Sequence, residues 1–152
     1  MVRLAGELGK IDEVGLFMTM MNTFDNRRIT VPNNKIFGSV IETITFHDRR
    51  RDEVPVGTDY PADLDEVRRV LEAAADAVEG RLDDPAPQVV LLELGGSSIN
   101  WEVRVWAPTP DFLTVKQSTV RMVKKYLDEA DIGIPFPQMD VHVDGGLASR
   151  VS

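Results

Sequence analysis

The sequence predicts an α+β protein in two parts, an all-β N-terminal domain followed by a domain in which strands and helices alternate. Three observations predict it. Residues 1 to about 46 carry short apolar and alternating runs punctuated by Gly, Pro and Asn, without helical periodicity. Two later segments, Leu64 to Val78 and Phe112 to Ala130, repeat apolar residues at helical spacing. Between them Ile99, Trp101, Val103 and Val105 alternate with Asn100, Glu102 and Arg104, the period-two pattern of a half-buried strand.

The elements follow in order. Val2-Arg3-Leu4 is a short strand, and Gly6 and Gly9 interrupt the pattern after it. A longer strand is expected over Lys10 to Asn22, bent at Gly15. Its Phe17, Thr19 and Met21 share one face and Met18 and Met20 the other, so both faces are apolar or nearly so. Asp25-Asn26 supplies a tight turn, Arg28 to Val31 a strand, and Pro32-Asn33-Asn34 a second turn. Val40, Ile44 and Phe46 are expected on one face of the last strand of this part.

The second part opens with a strand over Asp52 to Tyr60, where Pro55 favours a sheet edge. Asp63-Leu64-Asp65-Glu66 has the form of a helix capping box, and Gly80 with Asp83-Asp84-Pro85 ends that helix. Val89 to Leu94 is a strand, Gly95 to Ser98 a turn, and Gly133 suits the cap of the second helix. With a last strand over Met139 to Val143, the order is β-α-β-β-α-β, the ferredoxin-like pattern. Pattern alone places that last strand in the same sheet.

Composition narrows the function classes. Hydrophobic residues are 43% and charged residues 28% of 152, ordinary for a globular chain. No apolar run approaches the roughly 18 to 20 residues that cross a bilayer, and the N-terminus lacks a signal-peptide pattern. Zero cysteines exclude disulfides and thiolate chemistry. The formal net charge of −8 is uneven: residues 1–51 hold eight Lys/Arg against six Asp/Glu, and Asp59 to Asp84 hold nine acids against three bases. An acidic body repels polyphosphate and argues against a nucleic-acid partner.

About 46 residues bury only a small core, and domains of that size often need outside support. With no disulfide and no visible metal cluster, the second apolar face of the Met18/Met20 strand requires burial against another chain. The residues therefore point to an oligomer.

Three segments, in order, carry a family resemblance: TFDNRRITVPNNKIF (Thr23 to Phe37), LGGSSINWEVRVW (Leu94 to Trp106) and PFPQMDV (Pro135 to Val141). Together they resemble the cytoplasmic region of the small-conductance mechanosensitive channel family. The resemblance implies an Sm-like β domain over residues 1–48, a ferredoxin-like domain over 49–136, a strand over 137–143 that leaves the domain to join a small parallel barrel with six other subunits, and a polar tail over 144–152. Pro135 and Pro137 are consistent with such a stiff, extended exit. The resemblance further implies a homoheptameric vestibule on the cytoplasmic face of the inner membrane: a hollow cage with lateral portals that filters permeating ions and small solutes. The family's membrane helices precede the β domain, and this chain is expected to start inside the first β strand, as a soluble piece whose contact with the membrane runs only through those helices. The alternative reading is a soluble α/β regulatory or ligand-binding protein that retains the fold without a pore.

On this reading the inter-subunit or barrel candidates are Pro137, Gln138, Met139, Asp140 and Val141. The β-domain interface candidates are Met18, Met20, Arg27, Arg28, Pro32 and Asn33, and Arg49, Arg50 and Arg51 form a hinge or linker. No enzyme activity, cofactor or metal is expected. Two histidines, His47 and His142, leave little material for a triad or a zinc site. Gly95-Gly96-Ser97-Ser98 leads into a strand rather than a helix, which is a hairpin turn and not a phosphate loop. The acids of Asp59 to Asp84 read as the solvated face of a helix; in a hollow assembly they would enrich cations.

Overall fold

A computed structural model of the chain describes residues 1–139 and 141. They divide into two compact units, one of Met1–Arg50 with Pro108–Pro110, the other formed by Arg51–Ala107 and the residues from Asp111 onward.

The first unit is a five-stranded antiparallel sheet built from β1 (Val2–Leu4), β2 (Glu7–Val14), β3 (Met18–Asn22), β4 (Arg28–Pro32) and β5 (Ile41–Thr43), in the order β4-β3-β2-β1-β5. Ala5 and Gly6 join β1 to β2, both at positive φ, as a two-residue hairpin of matching twist requires. The single bent strand expected over Lys10 to Asn22 is instead a hairpin, β2 and β3, closed by the bond from Gly15 N–H to Met18 C=O at 2.8 Å. Leu16 and Phe17 occupy its tip, and their apolar character concealed the turn. Along β3 the Thr19 and Met21 side is buried, Met20 is half-buried and Met18 is exposed. Asn26, at φ 63°, makes the expected turn before β4. Pro32-Asn33-Asn34 does not form a simple turn but starts one helical turn, α1 (Asn33–Ile36). The last strand spans only Ile41–Thr43, and Val40 and Phe46 lie exposed outside it. The core of this unit is Val2, Leu4, Met21 and Val31, with Ile29 and Ile36 packed against it.

The second unit has a three-stranded sheet in the order β6-β8-β7, made by β6 (Arg49–Thr58), β7 (Gln88–Leu94) and β8 (Ile99–Pro108). Helices α2 (Leu64–Asp76) and α3 (Phe112–Glu129) contribute to a single core with it. β8 is central, and its alternation is complete: Ile99, Trp101, Val103, Val105 and Ala107 are all buried. Val67, Leu71, Ala74 and Ala75 of α2 and Val115, Thr119, Val123 and Leu127 of α3 are the buried stripes. Trp101 donates its indole N–H to Thr58 Oγ1 at 3.1 Å, and the Arg68 guanidinium lies 5.5 Å from its ring centroid. Asp63 caps α2 by accepting from the N–H groups of Asp65 and Glu66, while the Glu66 side chain pairs with Arg69 rather than closing the box. β6 is an edge strand, as Pro55 suggested, and begins three residues earlier than expected, so that Arg49–Arg51, where the chain passes from the first unit to the second, are strand residues.

Residues 132–139 and 141 have no regular secondary structure, and the strand expected over Met139 to Val143 falls largely outside the described residues. Proline chemistry accounts for the irregular segment. Pro135 and Pro137 are two apart, so both missing N–H groups belong to the same side of an extended segment. Pro55 removes a donor from the β6 edge as well. With β7 as the other edge, Leu91, Leu92 and Leu94 stay exposed although Val89 is buried. The sequence did not reveal that.

Leu71 is fully buried, and Leu113, on the solvent side of α3, is 70% exposed. Leu71→Ala is expected to lower unfolding stability by about 2 to 5 kcal/mol, and Leu113→Ala by less than about 0.5 kcal/mol. Urea denaturation of the two variants followed by Trp fluorescence checks this.

Candidate functional site

Two surfaces hold the residues singled out in the sequence: the tip and turns of the β unit, and the segment after α3. At the β-unit tip the organising residue is Asn33. Its N–H donates to Phe17 C=O at 2.9 Å, and its Nδ2 donates to the carbonyls of Gly15 (2.9 Å) and Leu16 (3.0 Å). Its Oδ1 accepts from Thr19 Oγ1 at 2.9 Å. One asparagine thus joins the start of α1 to the β2–β3 turn. Pro32, exposed just before it, sits at the N-cap position of α1 and sets an extended φ of −59° and ψ of 134°.

At the other turn, Thr23 Oγ1 and Arg27 Nε both donate to the Asp25 carboxylate, the second at 2.6 Å. The Thr23 hydroxyl first and the Arg27 guanidinium second hold the Asp25 carboxyl below its usual range, and Asp25 raises Arg27 in return. Arg28 pairs with Asp12 across the sheet. Both arginines are therefore engaged within the unit as well as exposed. Of the arginine run, Arg51 pairs with Glu53 at 2.5 Å, two residues along the same strand. His47 lies edge-on to Phe46 at 5.0 Å between ring centroids, and its carbonyl accepts from Thr109 Oγ1 at 2.6 Å.

The segment after α3 is directed by contacts at both ends. Asp131 takes φ 56° and Ile132 N–H returns to Leu127 C=O at 2.9 Å, closing the helix two residues before the glycine expected to do so. Gly133 has another reason to lack a side chain: a Cβ there would lie 1.7 Å from Asp59 Oδ2. Asp59 N–H donates to Gly133 C=O at 3.1 Å. Farther on, Gln138 N–H donates to Ser97 Oγ at 3.2 Å, in the β7–β8 turn. Between and beyond these points Pro137, Gln138, Phe136, Met139 and Val141 are exposed, Phe136 and Met139 to 86% and 85%. Asp140 and His142, and with them the expected strand over Met139 to Val143 and the tail, lie outside the described residues in whole or part.

Among the described residues no group of three or more His, Cys, Asp or Glu side chains converges as a metal site would need. Gly95 N–H donates to Ser98 C=O at 2.8 Å, so the glycine-serine stretch is the expected hairpin turn. Among those residues, too, no helix is long and apolar enough to cross a membrane.

Comparison with known proteins agrees with this architecture. Residues 52–134 match the family model described as the C-terminal part of the mechanosensitive ion channel MscS, and residues 1–44 match that of the mechanosensitive ion channel beta-domain. A small-conductance mechanosensitive channel of Edwardsiella ictaluri is 39% identical over 98% of this chain and 52% of its own length. An MscS family protein of Synechocystis is 36% identical over 93% of this chain and 48% of its own. The chain spans about half the length of these relatives. The crystal structure of Helicobacter pylori MscS in its closed state superposes with a TM-score of 0.88 at 26% identity, over 95% of this chain and 57% of that one.

Two outcomes follow from the geometry. The Asp25 carboxyl is expected to titrate below the ordinary value of about 3.9, and Thr23→Val to move it back toward that value in a carbon-detected NMR titration. The sign is that of a depressed carboxyl: its small stabilising contribution is present above the unfolded value and is lost as pH falls through the folded one. Gly133→Ala, which forces Asp59 aside, is expected to speed exchange of the Asp59 amide at least about tenfold, roughly the loss of one net hydrogen bond. Hydrogen-exchange NMR reads this, and the α2–α3 core amides should remain protected.

Proposed function

This chain belongs to the MscS family of mechanosensitive ion channels, and from that membership we propose that it is the cytoplasmic vestibule of such a channel. In this reading seven copies form a hollow cage beneath the inner membrane, with lateral portals that filter the ions and small solutes released when tension opens the pore under hypo-osmotic shock. The chain spans 52% of the Edwardsiella ictaluri relative, and in this reading the tension-sensing helices belong to the remainder. The chain's role is assembly and filtering rather than catalysis.

One observation supports this reading most strongly. The β unit buries four apolar residues as its core, yet Ile11, Val14, Leu16, Phe17, Met18, Phe24, Phe37, Val40, Ile41 and Phe46 all stand exposed. A unit with more large hydrophobics outside than inside is half of something, and an excess of exposed apolar side chains suits burial in interfaces with other copies. Exposed Met139 and Val141, beyond the proline-stiffened exit, suit a strand completed only by equivalent strands of other copies. In the proposed cage Met18, Met20, Arg27, Arg28, Pro32 and Asn33 contribute to contacts between β units, and Pro137 to Val141 form the barrel. The Arg49–Arg51 stretch contributes to contacts between subunits.

Native mass spectrometry of the chain is expected to show a ring of seven copies. The double substitution Met139→Asp and Val141→Asp is expected to shift that ring toward smaller species while far-UV circular dichroism stays unchanged. A well-folded monomer at high concentration of the unsubstituted chain would refute the assembly.

A further inference from the structure

We propose that the Leu16–Phe17 tip of the β2–β3 hairpin is a preorganised anchor that inserts into an apolar seat on a second copy of this chain, with Asn33 as the residue that positions it. The proposal rests on the assembly reading above and names its contact point. Leu16 is 83% exposed and Phe17 76%, and they lie within an uncharged run, Val14 to Met18. Exposed hairpin tips are ordinarily polar and free to move. This one is neither. Every backbone carbonyl from Gly15 to Phe17 accepts a hydrogen bond from Asn33, whose own Oδ1 is tied to Thr19. Four bonds converge on one residue to hold two greasy side chains in water.

Such an arrangement lowers the ordering cost of a shaped contact, which is how a binding anchor gains affinity. A lipid phase imposes no shape and would gain nothing from it. A second copy fits better, because the same unit offers a seat away from the tip. Leu4 pairs with Glu7 at the far end of β2 and with Ile41 of β5, so exposed Val40 and Ile41 lie level with the start of β2. The tip follows Val14, seven residues or about 23 Å along that strand. Knob and seat at opposite ends of one unit make a head-to-tail contact, the kind that closes into a ring.

The test compares the full chain with Leu16→Ser/Phe17→Ser, Asn33→Ala and Val40→Asp/Ile41→Asp by native mass spectrometry over a concentration series, with circular dichroism for the fold. The tip and seat variants are each expected to raise the concentration for half-assembly at least tenfold. Asn33→Ala, which leaves both anchor side chains in place, should raise it several-fold and speed exchange of the Phe17 amide. A photo-cross-linker at position 17 of the full chain supplies a readout that needs no destabilising change, and it should capture Val40 or Ile41 of another copy. An assembled wild type with an equally assembled tip variant overturns the anchor while leaving the assembly reading intact. A monomeric wild type removes both. Flotation with phosphatidylglycerol vesicles that is abolished by Leu16→Ser/Phe17→Ser would overturn the choice of occupant.

Discussion

The excess of apolar surface over core volume in the β unit is the constraint on which the rest depends. A sheet of short strands with a core of Val2, Leu4, Met21 and Val31 has few side chains to remove from water. Its stability at roughly 1.5–3 kcal/mol per buried aliphatic side chain is modest against the entropy of ordering the strands. The second unit has no such deficit. Its two helices and central β8 share a core of seventeen buried residues, enough to fold around itself. Both units expose large hydrophobics, but only in the first do they outnumber the buried core. That asymmetry gives physical content to membership in a family of channels whose vestibule we propose to be shared among copies.

Polar groups do the positioning while apolar groups supply the contact surface. Asn33 at the hairpin tip, and Asp59 with Ser97 along the exit segment, hold backbone in place next to exposed Leu16, Phe17, Phe136 and Met139. Exposed apolar residues on slack backbone would collapse onto the nearest greasy surface or invite promiscuous pairing. Fixing the backbone by hydrogen bonds prevents this at little cost in buried area. The prolines serve the same end: Pro55, Pro135 and Pro137 withhold donors, so neither the β6 edge nor the exit segment pairs as a regular strand would.

Much of this was legible in the residues. Period two in Ile99 to Val105, period 3.6 in Leu64 to Val78 and Phe112 to Ala130, and the Asp63 cap each express a local preference that tertiary packing reinforces. The β2–β3 turn was not legible, because Gly15 was the only turn former in an apolar run, Val14 to Met18, that reads as one strand covered on both faces. The Arg49–Arg51 run reads as a solvated linker by charge, yet extended backbone tolerates arginine on an exposed edge, and β6 begins there. The value of Asn33 was only half visible. Its type suited a turn, but nothing local announced that its partners lie fourteen to eighteen residues away.

The strand and helix order of the second unit through α3, the helix faces and the edge character of β6 were settled by the chain's own pattern, since each depends on neighbours within a few positions. The three quoted motifs were enough to place it in its family. Only the folded arrangement decided that the exit segment stays out of the sheet, that Gly133 makes room for Asp59 rather than ending a helix, and that Leu91, Leu92 and Leu94 remain uncovered. Each of those outcomes turns on which atoms from distant positions come within a few ångströms of one another. Spacing along a chain carries no record of that.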